Sequence, residues 1–405
     1  MSAGAQFLLA LTLLQLLPPR EFGIFSFLLV ISQLSWGLWS ALFCAPLPVI
    51  AYGDKAHDAE RMVSALFSSN LAGAVASMPL FGLLAWAFGA PAHGALLFAA
   101  YGGIGLLRWF ARSYAYVAQE PGRTIASDLG YATVLIVGAV GFHFSGRTSL
   151  TSAYGLLLLG AAVGMLPFGV AFLKRQFSGV SIAAFTAYGS IWKRHSGWSL
   201  LGVVSTEATA NSHAYIVTAL LGPTQFAPVA ASTLLTRPIG VAMNALSEWE
   251  RPRMAAAIAE RRMDDVRRAA RHFRIALGAA WLGTAAVAGI VLILSPRLLF
   301  PSQYDLHFIA RAAALWMLVA LVRILRTPES TVLQASGEFR RLAIVTIYSA
   351  AVSIIAVVVM LWAGGVLWSI VGILIGEMLC AILIWRLHAN FWADQPRESE
   401  TVARN

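Results

Sequence analysis

Few residues in this chain can do chemistry, and most of them sit where charge is expensive. Glu207, Asn211 and His213 fall in the apolar run 197–221, and Arg237 falls in 225–248. Arg108 and Arg112 lie toward the end of 93–114, Asp128 just inside 126–145, Arg323 and Arg326 at the end of 306–326, and Glu377 alone in 366–388. A charge at the centre of a membrane span costs roughly 3 kcal/mol, so each group has to be paired, neutralised or used. Glu207 and Arg237 reach similar depth when the chain folds back about Gly222. They admit two readings: a mutual salt bridge that satisfies both, or groups that meet a solute. His213 either carries a proton or is hydrogen-bonded within a bundle. The one-turn spacing of Arg108 and Arg112 predicts that Arg112 snorkels to Asp128, leaving Arg108 to meet a headgroup or solute. Glu377 reads as an ion-coupling carboxyl or as a packed, protonated one.

Other patterns remove chemistries. Gly102-Gly103-Ile104-Gly105 follows no strand and lies in an apolar run, where its glycines permit close packing, as does the Gly160/Gly164 spacing. No Walker A sequence occurs, so ATP hydrolysis is not expected. Cys44 and Cys380 are far apart in apolar stretches and make neither a disulfide framework nor a metal site. Asp264-Asp265 has arginine neighbours that balance it. Neither cofactor nor metal is expected. Trp36, Trp39, Trp109, Trp192 and Trp392 fall near span ends, where an interfacial belt is the plain reading.

The elements that must position these residues are transmembrane helices. The 405 residues are 59% hydrophobic and 12% charged. Apolar runs recur near 2–17, 23–50, 63–89, 93–114, 126–145, 150–173, 197–221, 225–248, 273–296, 306–326, 341–363 and 366–388. The net charge of +10 lies between these runs, so it sets topology, and nucleic acid is not an expected partner. Linkers alternate between brief ones holding about three Lys/Arg (Arg20, Arg147, Arg297) and longer ones holding about twenty, which face the cytoplasm by the positive-inside rule. Both termini are then cytoplasmic. The linker 249–272 reads as a topology anchor or as a surface for anionic headgroups, and its spacing suits a helix continuing out of the membrane. Residues 1–17 lack a basic n-region and read as a first spanning helix rather than a signal.

The expected fold is an all-α integral membrane protein of about twelve helices in two six-helix bundles, with a pseudo-two-fold along the membrane normal. Residues 1–175 form the first bundle, 176–196 an amphipathic cytoplasmic linker, 197–390 the second bundle and 391–405 a cytoplasmic tail. A shift of 204 residues lays Leu16-Leu17-Pro18-Pro19-Arg20-Glu21-Phe22 over Leu220-Leu221-Gly222-Pro223-Thr224-Gln225-Phe226 and Pro48 over Pro252. Six spans separate the repeats, so the bundles share one orientation and leave a cleft between them.

Leu17-Pro18-Pro19-Arg20-Glu21-Phe22-Gly23-Ile24-Phe25 after the opening helix resembles the first hairpin of polysaccharide transport proteins. These include O-antigen flippases, within the multidrug, oligosaccharidyl-lipid and polysaccharide (MOP) exporter superfamily. Pro252-Arg253 and Gln334-Ala335-Ser336-Gly337 are similar to that family in the second half. Members carry a short segment before a full first helix, so the resemblance implies an upstream start or a trimmed helix here. It further implies no enzymatic activity and location in a bacterial cytoplasmic (inner) membrane. The implied function is translocation of a lipid-linked oligosaccharide, on a polyprenyl diphosphate carrier, by alternating access. Membrane lipids, and a polysaccharide polymerase or export machinery, are the further partners implied. On that reading Arg108, Arg237, Arg323, Arg326, Asn211 and His213 are substrate-binding candidates. Glu207, Asp128, Arg112 and Glu377 are ion-coupling or charge-pairing candidates. The arginines would make an electrostatic mouth for a diphosphate. A cation-coupled multidrug exporter of the same superfamily is the alternative. A membrane glycosyltransferase or polymerase fits less well, because no outer linker exceeds about ten residues.

Overall fold

A computed structural model describes residues 2–51, 56–146, 148–178 and 182–393. Arg147, residues 179–181 within the linker and the tail beyond Ala393 lie outside the described residues. Within them the chain is helical and no strand occurs. Twelve long helices follow in order: α1 Ser2–Leu16, α2 Pro19–Pro48, α3 Ala56–Ala87, α4 Ala92–Val117, α5 Pro121–Ser145 and α6 Leu150–Phe177. The second series is α7 Gly197–Leu221, α8 Pro223–Ala259, α9 Met263–Leu294, α10 Leu306–Ala335, α11 Phe339–Gly364 and α12 Val366–Ala393. A short helix, Ile182–Ile191, joins the series. Ten of the twelve are long and apolar enough to cross a membrane. The other two are α1, apolar but only 15 residues, and α7, 25 residues long but carrying Glu207, Asn211 and His213. The chain is a multi-pass membrane protein.

Local chemistry sets the helix ends. Pro19 and Pro121 stand in first turns, where a missing N–H costs nothing. Ser149 and Ser152 form a reciprocal capping box at the start of α6, and Asp305 caps α10 through the His307 N–H at 2.9 Å. Gly222 (φ 85°) and Gly365 (φ 79°) take the left-handed conformations that reverse the chain after α7 and α11. Three helices are interrupted within their spans, α6 by a 3-10 turn at Leu166–Phe168. A π-helical turn, Ser40–Cys44, widens α2, and a 3-10 turn, Leu234–Thr236, breaks α8 just before Arg237-Pro238. As the spacing in 249–272 predicts, α8 runs on to Ala259 and α9 starts at Met263. Arg262 bonds Glu260 and Asp265 across that turn, and these two carboxylates raise its affinity for its proton.

The packing divides into two units. The first comprises residues 1–204, Val217–Ala230 and Leu299–Tyr304, and the second Ser205–Ile216, Ala231–Leu298 and 305–405. The division departs from sequence order at 217–230 because the backbone there meets α2 closely. A Cβ on Gly23 would stand 2.0 Å from the Pro223 carbonyl oxygen. Phe27 packs edge-on against Phe226, and Gln303 donates to the Leu17 carbonyl at 3.0 Å. An aromatic cluster lies in the same unit's core: Phe25, Phe98, Tyr101 and Tyr154 interlock, all essentially without exposure.

In the second unit α11 and α12 approach through glycine. A Cβ on Gly372 would lie 2.5 Å from backbone atoms of Val357, and one on Gly376 would lie 2.4 Å from Ser353 Cβ. Gly372→Ala is therefore expected to overpack this contact and cost about 1–3 kcal/mol. Gly278→Ala on α9, where nothing lies within 4 Å, is expected to be neutral or stabilising. Thermal unfolding of the purified variants in detergent checks the contrast.

Candidate functional site

The first unit holds a carboxylate between two arginines. Arg108, on α4, is 7% exposed and its NH2 reaches Asp128 Oδ1 on α5 at 2.6 Å. Arg112, one turn on, reaches Asp128 Oδ2 at 2.8 Å. Arg108 also donates through Nε to Ser127 Oγ at 3.0 Å, and its guanidinium lies 4.5 Å from the Tyr131 ring centroid. The Ser2 hydroxyl of α1 donates to Asp128 Oδ1 at 2.9 Å. Gly164 on α6 leaves the room Arg108 needs, for a Cβ there would stand 2.4 Å from its Nε. The expected Arg112–Asp128 pair is present. Arg108 is not left unpaired, because Gly164 lets its side chain run back onto the same carboxylate.

The second unit repeats the arrangement. Glu377, 1% exposed, accepts from Arg323 Nε at 2.8 Å and from Arg326 Nε and NH2 at 3.0 and 2.8 Å. This corrects two expectations. Glu377 is not isolated, since α12 faces the one side of α10 that carries both arginines, spaced three residues apart. Arg323 and Arg326 do not stand open at a mouth, because both close on Glu377. Each three-residue cluster keeps one surplus positive charge.

Glu207 and Arg237 do not pair. The Glu207 carboxylate Oε1 accepts from Asn211 Nδ2 at 2.8 Å and from Tyr215 Oη at 2.9 Å, one and two turns along α7. The mutual salt bridge is thus replaced by local bonds along one helix face. Arg237, half-buried after the 3-10 turn, has no ion pair or hydrogen-bonded side chain among the described residues. His213 is buried against the Trp316 ring, with centroids 4.8 Å apart.

Several polar contacts were missed by reading the sequence. Asn70 on α3, fully buried, accepts from Trp39 Nε1 at 2.7 Å and donates to Gln176 at 3.0 Å. Trp39 is therefore buried rather than part of a belt. Trp36 and Trp109 stack on each other, with ring centroids 5.6 Å apart and planes 8° apart. The available signal was their helical register with Gln33 and Arg112. Glu329 on α10 meets Arg274 of α9 in a further ion pair.

Glu377→Gln strands two arginines and is expected to cost about 3–5 kcal/mol, lowering the unfolding midpoint or the yield of folded protein. Arg326→Gln still leaves Arg323 on the carboxylate and is expected to cost clearly less. Chemical denaturation of both variants in one detergent orders them, and the reverse order would contradict the clamp.

No family model matches the sequence, and no curated protein matches it. Solved structures do. A MATE-family multidrug resistance transporter of the MOP superfamily, in its inward-facing conformation, superposes with a TM-score of 0.70 at 15% identity, over 96% of this chain and 94% of that one. A MATE structure in the straight conformation gives 0.62 at 19% identity, over 96% and 92%. An outward-facing MATE transporter of the same superfamily gives 0.60 at 17% identity, over 96% and 92%. This likeness is one of fold: the chain has the fold of the MATE transporters of the MOP superfamily.

Proposed function

We propose that the protein exports amphiphilic organic solutes across a bacterial cytoplasmic membrane by alternating access, coupled to a cation, with both termini on the cytoplasmic side. The observation that carries this reading is the shared fold over 96% of the chain with MATE multidrug transporters, which have been captured both inward- and outward-facing. A coupling site needs a carboxylate that can exchange its cation. Asp128 and Glu377 are each held by two arginines. Among the described residues Glu207 is held only by the neutral donors Asn211 and Tyr215, on a long helix too polar to count among the ten apolar spans, and is the better coupling group.

A second reading, the flipping of a lipid-linked oligosaccharide with a polymerase or export machinery as partner, is favoured by one observation. Arg237 is a cation in mid-α8 with no acidic partner among the described residues, as an anionic headgroup would require. Neither reading needs bond-making chemistry of the protein.

Export from energised cells, normalised to protein abundance, separates the readings. Under the exporter reading Glu207→Gln abolishes gradient-driven efflux of fluorescent amphiphiles and Glu207→Asp restores part of it. Unchanged efflux in Glu207→Gln would contradict the assignment. Under the flipping reading Arg237→Ala lowers glycan export by about ten-fold or more. Arg237→Lys recovers part, because lysine lacks the planar two-pronged donor geometry.

A further inference from the structure

Two helices of the first unit have no outward face over most of their length. No residue of α2 from Glu21 to Ser40 and none of α4 from Leu97 to Ala115 is fully exposed. Every residue of these two stretches is buried or half-buried. On α2 the half-buried ones include Gln33, Trp36 and Ser40, and on α4 Gly105, Trp109 and Arg112, each set lying along one helical stripe.

The stripes meet in a cationic aromatic platform. The indoles of Trp36 and Trp109 lie 8° from parallel with centroids 5.6 Å apart, a slipped stack. Trp109 is fixed by its Nε1–H, which donates to Ser40 Oγ at 2.6 Å. Gly105 lies beside Trp36, where a Cβ would stand at ordinary contact distance, 3.7 Å, from Trp36 Nε1. The Arg112 guanidinium lies 4.9 Å from the Trp109 centroid and spends one nitrogen on Asp128, while its buried Nε–H has no partner among the described residues. Asp128 also neutralises Arg108, so the platform carries surplus positive charge. Among the described residues, the Trp36 indole N–H and the Gln33 amide meet no acceptor. Packing alone would give no reason to gather unspent donors, a surplus cation and a parallel aromatic pair on one surface.

We infer that this platform is a binding site for an organic anion whose ring, aromatic or pyranose, lays one face on indole: the ring extends the indole stack, the anionic group meets Arg112, and Trp36 and Gln33 donate to polar ring substituents. The inference rests on the transport reading only for the site's purpose. Two sources share this chemistry, a planar aromatic anion and the phosphorylated sugar of a lipid headgroup.

Equilibrium binding to the full chain in nanodiscs, corrected with empty discs, tests it. The probes are naphthalene-2-sulfonate, 2-naphthylmethylammonium, cyclohexanesulfonate and glucose 1-phosphate. The site predicts that one of the two ring-faced anions, naphthalene-2-sulfonate or glucose 1-phosphate, binds at least about ten-fold tighter than both 2-naphthylmethylammonium and cyclohexanesulfonate. Which anion binds tighter identifies the source. Trp36→Ala should weaken that binding about ten-fold and Trp36→Phe less. Arg112→Gln, which leaves Arg108 on Asp128, should erase the preference for anion over cation. Trp362→Ala, at a residue 82% exposed, should change nothing. Equal binding of the naphthyl anion and cation with no binding of glucose 1-phosphate overturns the site, as does tight anion binding that survives Trp36→Ala. Efflux that persists without anion binding removes this site and leaves the exporter reading standing. Anion binding without transport in any gradient does the opposite.

Discussion

Arginine cannot lose its charge inside a membrane, and much of this structure follows from where its buried arginines find carboxylates. Arg108 and Arg112 share Asp128, and Arg323 and Arg326 share Glu377. Each sharing demands room and register. Gly164 yields space to Arg108, Ser2 brings α1 onto Asp128, and the glycines at 372 and 376 seat α12 against α11 with Glu377 turned to α10. Two arginines on one carboxylate are electrostatically incomplete, so each cluster retains one positive charge that no further carboxylate among the described residues cancels.

That incompleteness divides the embedded charges into two kinds. The clustered groups hold helices together and have little freedom to exchange a proton or an ion. Glu207, bonded among the described residues only to Asn211 and Tyr215, and Arg237, placed where α8 restarts after its 3-10 turn, are not committed in this way. They lie on the two helices that follow the linker, α7 and α8, and the polarity of α7 excludes it from the ten helices apolar enough to cross by composition. A helix that accepts this polarity within a membrane fold gives up stability for a site.

Much of the architecture was legible in the sequence because the membrane imposes a coarse rule: about twenty apolar residues per span, with punctuation by proline, glycine and charge. The order of the helices and the short α1 follow from it. Side-chain partners did not follow, because they depend on helix rotation, which hydropathy does not fix. The spacing of Arg112 and Asp128 sufficed for one pair. Nothing local indicated that Gly164, two helices away, would let Arg108 join them, or that Glu377 would turn toward Arg323 and Arg326. Glu207 was read against Arg237 by depth alone, whereas the nearer donors on its own helix, at i+4 and i+8, hold it. Trp36 and Trp109 were read by position along their spans, when the informative coordinate was the face they share with Arg112.

The central claim is that surplus positive charge inside the helices sets the sign of the solute carried. Flux of naphthalene-2-sulfonate and of 2-naphthylmethylammonium into proteoliposomes containing the unmodified protein, compared under one imposed gradient with empty vesicles as reference, tests it most directly. The account predicts protein-dependent flux of the sulfonate well above that of the ammonium, and faster flux of the ammonium would contradict it.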